Sequence, residues 1–193
     1  KVDDRIVSIS QPHIRPIVRG KASAEVEFGA KITISVVDGL AYIEELSFDS
    51  YNESKTLKEA TETYKRRFGY YPKAIMADKL FRNRENLQFC KANHIRLSGP
   101  RLGRPSLSEK NEHRQYERLD AGIRNSVEGK FGEGKRKYGL GRIMARLKET
   151  SECVIAIQFI VMNLEHKLRK YFLLYFKERF FWLWDNYFKL SWA

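Results

Sequence analysis

The sequence predicts a mixed α/β domain, helices packed on a sheet, with a C-terminal helical extension. Three observations predict it. Segments that alternate apolar and polar residues open the chain, which is the pattern of half-buried strands. Single apolar stripes at helical spacing follow, separated by brief strand-like runs. A long apolar-rich stretch then closes the chain, with no low-complexity linker and no internal repeat before it.

Arg5–Ser10 (RIVSIS) and Lys31–Val36 (KITISV) alternate, and Asp38-Gly39 is a hairpin turn leading into a strand over Ala41–Phe48. Ser50-Tyr51-Asn52-Glu53 has the Ser-x-x-Glu form of a capping box. The helix it starts places Leu57, Ala60, Tyr64 and Phe68 on one stripe and ends at Gly69. Lys73–Ala77 is a short apolar strand that stops at Asp78; a helix over about Asn83–Asn93 and a strand over Ile95–Ser98 follow. Gly99–Ser108 is loop. A further helix begins near Leu119, with Leu119, Ile123, Val127 and Phe131 one turn apart, and a long helical region starts around Thr150. The expected division is a core over residues 1–150 and an extension over 151–193.

Charge narrows the partners. Thirty-six Lys and Arg against 24 Asp and Glu leave a formal +12 and a pI near 9.7. Such an excess favours polyanions, because each neutralised phosphate releases condensed counterions. Three basic clusters stand beside glycine or proline: Arg15, Arg19 and Lys21 in one loop, Arg101 and Arg104 in a second, and Lys135, Arg136, Lys137, Arg142 and Arg146 in a third. Together they point to DNA. Cys90 and Cys153 are far apart and the four histidines are scattered, which argues against a disulfide scaffold or a structural zinc site and fits a reducing compartment. The apolar run Cys153–Leu164 is shorter than the roughly 20 residues a bilayer span needs. Charged residues interrupt the aromatic stretch Tyr171–Trp192, which is expected to pack on its own domain or on a partner rather than on a membrane.

Two carboxylates are candidates for chemistry. Asp78 stands directly after an apolar strand, where functional groups gather in open α/β sheets; a lone Asp there equally caps the next helix. At roughly 100° per residue, Arg124, Glu128 and Lys135 fall within an arc of about 40°, offset from the apolar stripe. A carboxylate between two cations can hold a divalent metal while the cations meet phosphates; the plain alternative is a surface ion pair four residues apart. The sequence contains no P-loop, no Gly-x-Ser-x-Gly elbow and no Cys–His pair in a plausible context.

The ordered stretches Arg5–Ala22, Glu27–Ile32, Tyr51–Glu53, Gly69–Asn86, Ile95–Pro105 and Ile123–Leu140 resemble bacterial insertion-sequence transposases of the IS4/IS5 type, in particular the IS1182-related subgroup. The resemblance covers about residues 5–168. It implies an RNase H-like fold with an Asp-Asp-Glu triad. Asp78 falls on the second Asp, and Arg124, Glu128 and Lys135 satisfy the Arg-x3-Glu-x6-Lys part of the family signature, with Ala121 in its Tyr place. The first Asp is expected upstream of Lys1, the chain being an N-terminally truncated piece, with Asp4 as the alternative. Also implied are strand cleavage and strand transfer at element ends, a two-metal Mg²⁺ or Mn²⁺ site on Asp78 and Glu128, terminal inverted repeats and target DNA as partners, a homodimer on DNA, and a cytoplasmic, nucleoid-associated place. A catalytically inactive DNA-binding remnant and a nuclease on the same fold are the competing readings.

Overall fold

The structure is a computed structural model that describes residues 6–21, 24–99 and 109–190, with side chains described over 6–17, 26–99 and 118–182. Pro16–Lys21 (β1) pairs antiparallel with Ala24–Phe28 (β2), Ile17 opposite Glu27, with an irregularity between Val18 and Lys21. This corrects the expectation of a basic loop there: adjacent β-branched Ile17 and Val18 favour extended backbone, and buried Ile17 anchors the ribbon. A second correction precedes it. Residues 6–10 form no strand, and Ile9 lies almost wholly in solvent. The Ser8 hydroxyl accepts from the Gln11 backbone N–H at 3.2 Å, a local bond that competes with a ladder.

Lys31–Val37 (β3) and Leu40–Ser47 (β4) form the expected hairpin, with Asp38 and Gly39 both left-handed (φ 51° and 79°), as a two-residue turn of this hand demands. A register shift between Thr33 and Ile34 bends it. A single 3₁₀ turn at Glu53–Lys55 then leads into Thr56–Phe68 (α1). The cap is Asn52, whose side chain accepts from the Ser54 N–H, and not the Ser50 hydroxyl of a capping box. Gly69, at φ 82°, ends α1 as expected.

The next unit is a crossover. Ala74–Ile75 (β5) runs parallel to Arg96–Leu97 (β6), joined through Arg84–Ala92 (α2), which Asn83 caps and Asn93 ends. Leu57, Cys90, Ile95 and Leu97 form the small core beneath it, with Ile75, Ala77, Phe81 and Leu87 at its margin. Asn86, 1% exposed, donates to the carbonyls of Ser54 and Phe81, both at 2.8 Å, and so ties the crossover to the start of α1.

Glu109–Lys137 (α3) starts ten residues before the expected position, because a polar stretch without an apolar stripe gives no periodic signal. Its stripe is only half used: Val127 and Phe131 pack on the main core, whereas Leu119 and Ile123 are exposed. Lys148–Leu190 (α4) follows. Ile155, Phe159 and Met162 on α4 meet Ile34, Ala41 and Phe48 from the hairpin, forming the main core. Each of these side chains other than Ala41 contributes about 1.5–3 kcal/mol when fully buried. The Asn163 amide pairs with both backbone groups of Ala41, accepting from its N–H at 2.8 Å and donating to its C=O at 2.7 Å.

Among the described residues the strands form three separate two-stranded sheets, β1–β2, β3–β4 and β5–β6, alongside four α-helices. The architecture is mixed α/β.

Candidate active site

Asp78 emerges three residues beyond β5, and the backbone leading to it is held by Ser98. Ser98, 1% exposed, uses its hydroxyl to accept from the Ala77 N–H at 2.9 Å and to donate to the Ala77 C=O at 3.1 Å. The Ser98 N–H donates to Ile75 C=O at 2.9 Å, continuing the β5–β6 ladder to the edge of the site. Arg82 reaches back to donate to the carbonyls of Leu97 and Ser98 at 2.9 and 3.0 Å. These are buried or half-buried bonds, so the strand end is rigid although Asp78 itself is exposed.

The Asp78 carboxylate accepts from the Lys79 N–H at 2.6 Å and caps the 3₁₀ turn Lys79–Phe81. The capping role weighed from the sequence is therefore formed, and it uses one carboxylate oxygen. Glu128 is exposed on α3 and, among the described residues, has neither a hydrogen bond nor an ion pair. The surface pair with Arg124 is absent; Arg124 instead lends its positive field to Asp120, one turn earlier.

Asp120 is what sequence reasoning missed. It is 3% exposed and receives two hydrogen bonds from Arg96 on β6, Nη1 to Oδ2 and Nη2 to Oδ1, each 2.8 Å. That fork fastens the helix bearing Arg124 and Glu128 to the strand next to Asp78. Hydrogen bonding from Arg96 holds the Asp120 carboxyl below its usual range, against the opposing effect of burial; the charges of Arg96 and Arg124 act in the same direction as the bond. The partner of Asp120 lies 24 residues away in the sequence, which leaves no periodic signal for it.

The far end of α3 is fixed to α4. Glu133 accepts from Arg169 at 2.8 Å and pairs with Lys130 at 3.3 Å; the bond from Arg169 leads the lowering of its carboxyl. Tyr138 donates to Glu165, and desolvation first, then that bond, pushes the phenol up to about 12. Lys135 lies exposed in the last turn of α3.

The remaining basic candidates are spread. The Arg15 guanidinium folds back to donate to the carbonyls of Pro12 and Ile14, at 2.6 and 3.1 Å. Arg19 lies on β1, its side chain outside the described ones, and Arg101 and Arg104 lie outside the described residues. Among the described residues no three His, Cys, Asp or Glu side chains gather to hold a metal ion. The described donors therefore do not by themselves fit a two-metal site, which needs more oxygen ligands than Asp78 and Glu128 supply.

Comparison with curated proteins and with solved structures found no match. Residues 75–165, just under half of the chain, match the family model of the transposase DDE domain, and this supports a DDE transposase.

Proposed function

We propose that this chain is the catalytic portion of a DNA transposase of the IS4/IS5 type, cutting and joining strands at insertion-sequence ends. The observation that carries the reading is the family match over residues 75–165, which takes in Asp78, Arg124, Glu128 and Lys135. Those are the residues that the strand-end position and the helical spacing single out independently. In this proposal Asp78 and Glu128 are the carboxylates for Mg²⁺ or Mn²⁺, and Arg124 and Lys135 steady the DNA backbone. Arg15, Arg19, Arg101 and Arg104 add contacts to the same polyanion, and two copies act together on the element ends.

The RNase H-like arrangement belongs to the same proposal. The order hairpin, α1, β5, α2, β6 supports it. The division into a core over 1–150 and an extension over 151–193 is proposed with it. The competing reading is an inactive DNA-binding remnant of a transposase.

The test combines binding with cleavage of a duplex carrying the element's own ends. The transposase reading expects salt-sensitive binding, a slope that flattens in an Arg101→Ala/Arg104→Ala variant, and metal-dependent cleavage lost in Asp78→Ala and in Glu128→Ala while binding persists. Cleavage that also disappears in Asp4→Ala identifies Asp4 as the third carboxylate. Binding without cleavage supports the remnant. Cleavage indifferent to both Asp78 and Glu128 refutes the site.

A further inference from the structure

Helix α4 leaves the protein body at Arg169, which pairs with Glu133 and Glu165. From Lys170 to Trp182 every residue is exposed. Of the two coverings expected for this stretch, its own domain and a partner, the first is not found for residues 171–182. Nine large apolar residues stand in solvent between Tyr171 and Trp182, each about half exposed or more. An uncovered aromatic patch of this size marks an interaction surface.

Phenylalanine and leucine take one side of the segment and tyrosine and tryptophan the other, so apolar surface runs nearly all round it. At roughly 100° per residue, Phe172, Phe176, Phe180, Leu173, Phe181 and Leu174 sweep an arc of about 200°. Tyr171, Tyr175 and Trp182 lie on the opposite side, with Glu178 and Arg179 flanking them, and Arg179 stands 4.9 Å over the Trp182 ring. Between Lys167 and Trp182 there are five cations (Lys167, Arg169, Lys170, Lys177 and Arg179) and one carboxylate, Glu178.

We infer that this segment lies on an anionic lipid surface, its Phe/Leu arc in the boundary between headgroups and acyl chains. The inference goes beyond the transposase reading and does not depend on it. Two features select lipid over a second copy. Pairing two copies brings like-charged segments together, whereas an anionic bilayer neutralises each cation. Arg169, Lys170 and Lys177 also fall within the apolar arc; in a helix–helix seam the two ammonium groups would be buried, while at a lipid interface their stems lie flat and the charges rise to the phosphates. Tyr171, Tyr175 and Trp182, on the opposite side, are apolar bodies with a polar tip and face the headgroups instead of the acyl chains. Among the described residues no helix is long and apolar enough to cross a membrane, so the segment rests on the surface.

All three tryptophans, Trp182, Trp184 and Trp192, lie in this C-terminal stretch, so their emission reports on it alone. The experiment mixes the full chain with vesicles of phosphatidylglycerol and phosphatidylcholine, or of phosphatidylcholine only, and follows flotation and tryptophan emission. The expected result is co-flotation with the anionic vesicles, an emission blue shift, partition roughly tenfold or more higher than on neutral vesicles, and release by high salt. The variant Phe172→Asn/Phe176→Asn/Phe180→Asn is expected to lose flotation with its thermal transition unchanged. Should it fail to fold, Lys177→Glu/Arg179→Glu keeps the apolar arc and is expected to lose the anionic preference. Absence of flotation at low salt, equal partition on both vesicles, or an anionic preference retained in the charge-reversed variant overturns the inference. So does a dimer in sedimentation whose emission is already blue-shifted and indifferent to vesicles, which gives the surface to a second copy.

Discussion

Replacing Asp120 with Asn removes one half of a two-pronged ion pair at the junction of α3 and β6 while keeping the side-chain volume. Asp120 is 3% exposed, but the Arg96 side chain is 47% exposed, so its guanidinium stays within reach of water when the carboxylate is lost. The loss is therefore that of charge-assisted hydrogen bonds, about 1.5–3 kcal/mol, and falls short of a fully buried pair. For a chain of this length about 2 kcal/mol lowers the melting temperature by roughly 4–8 °C. Because Arg96 depresses the Asp120 carboxyl in the folded state, the pair's contribution is fully present above the unfolded carboxyl's range, near pH 4, and disappears as pH falls through the lower folded value. Thermal melts of both proteins from pH 7 to pH 3 measure this. The gap is expected to be constant near neutrality and to close below about pH 4. Equal melting temperatures at pH 7, or a gap that persists undiminished to pH 3, refute the reasoning.

Three further outcomes are expected. Gly39→Ala, at φ 79° with the new Cβ 2.4 Å from the His166 ring, should cost about 1–2 kcal/mol in denaturant unfolding, and only the steric part should return in a His166→Ala background. Asn86→Ala, which strands the carbonyls of Ser54 and Phe81, should cost about 2–4 kcal/mol, read as an earlier urea midpoint. Tyr138→Phe should be less stable than wild type at neutral pH. Since the folded phenol lies at about 12, above its unfolded value, the difference is fully present below about pH 10 and lost as pH rises through 12, as alkaline unfolding curves would register.

What the sequence reveals here is local. The Asp38-Gly39 turn, the left-handed stop at Gly69 and the asparagines bounding α2 are each dictated by the backbone angles or orphan amides of a few neighbouring residues, and all are found. The strand expected over Lys73–Ala77 is found only at Ala74–Ile75, so Asp78 follows its end by three residues instead of directly. The Arg96–Asp120 fork and the Asn163–Ala41 pairing are not legible, because residues 24 and 122 positions apart leave no periodic trace. Periodicity also reports an apolar face without saying what covers it. Val127 and Phe131 find the core, whereas Leu119 and Ile123, on the same stripe, do not. The Ser98 hydroxyl that fixes Ala77 is equally silent, since a small polar residue in a short strand has many uses.

The main core joins the β3–β4 hairpin to α4, elements separated by more than a hundred residues. During synthesis the hairpin leaves the ribosome first and waits for its partner. At about 5–20 residues per second, the interval between Ala41 and Asn163 lasts on the order of 6–24 s. Over that time Ile34, Ala41 and Phe48 have no α4 side chains to pack against, and the hairpin's edges stay open to pairing with other chains. A nascent chain halted before Ile155 thus carries all six strands found among the described residues and no closed main core. The last quarter of the polypeptide is the element that converts those strands from an aggregation hazard into a folded protein.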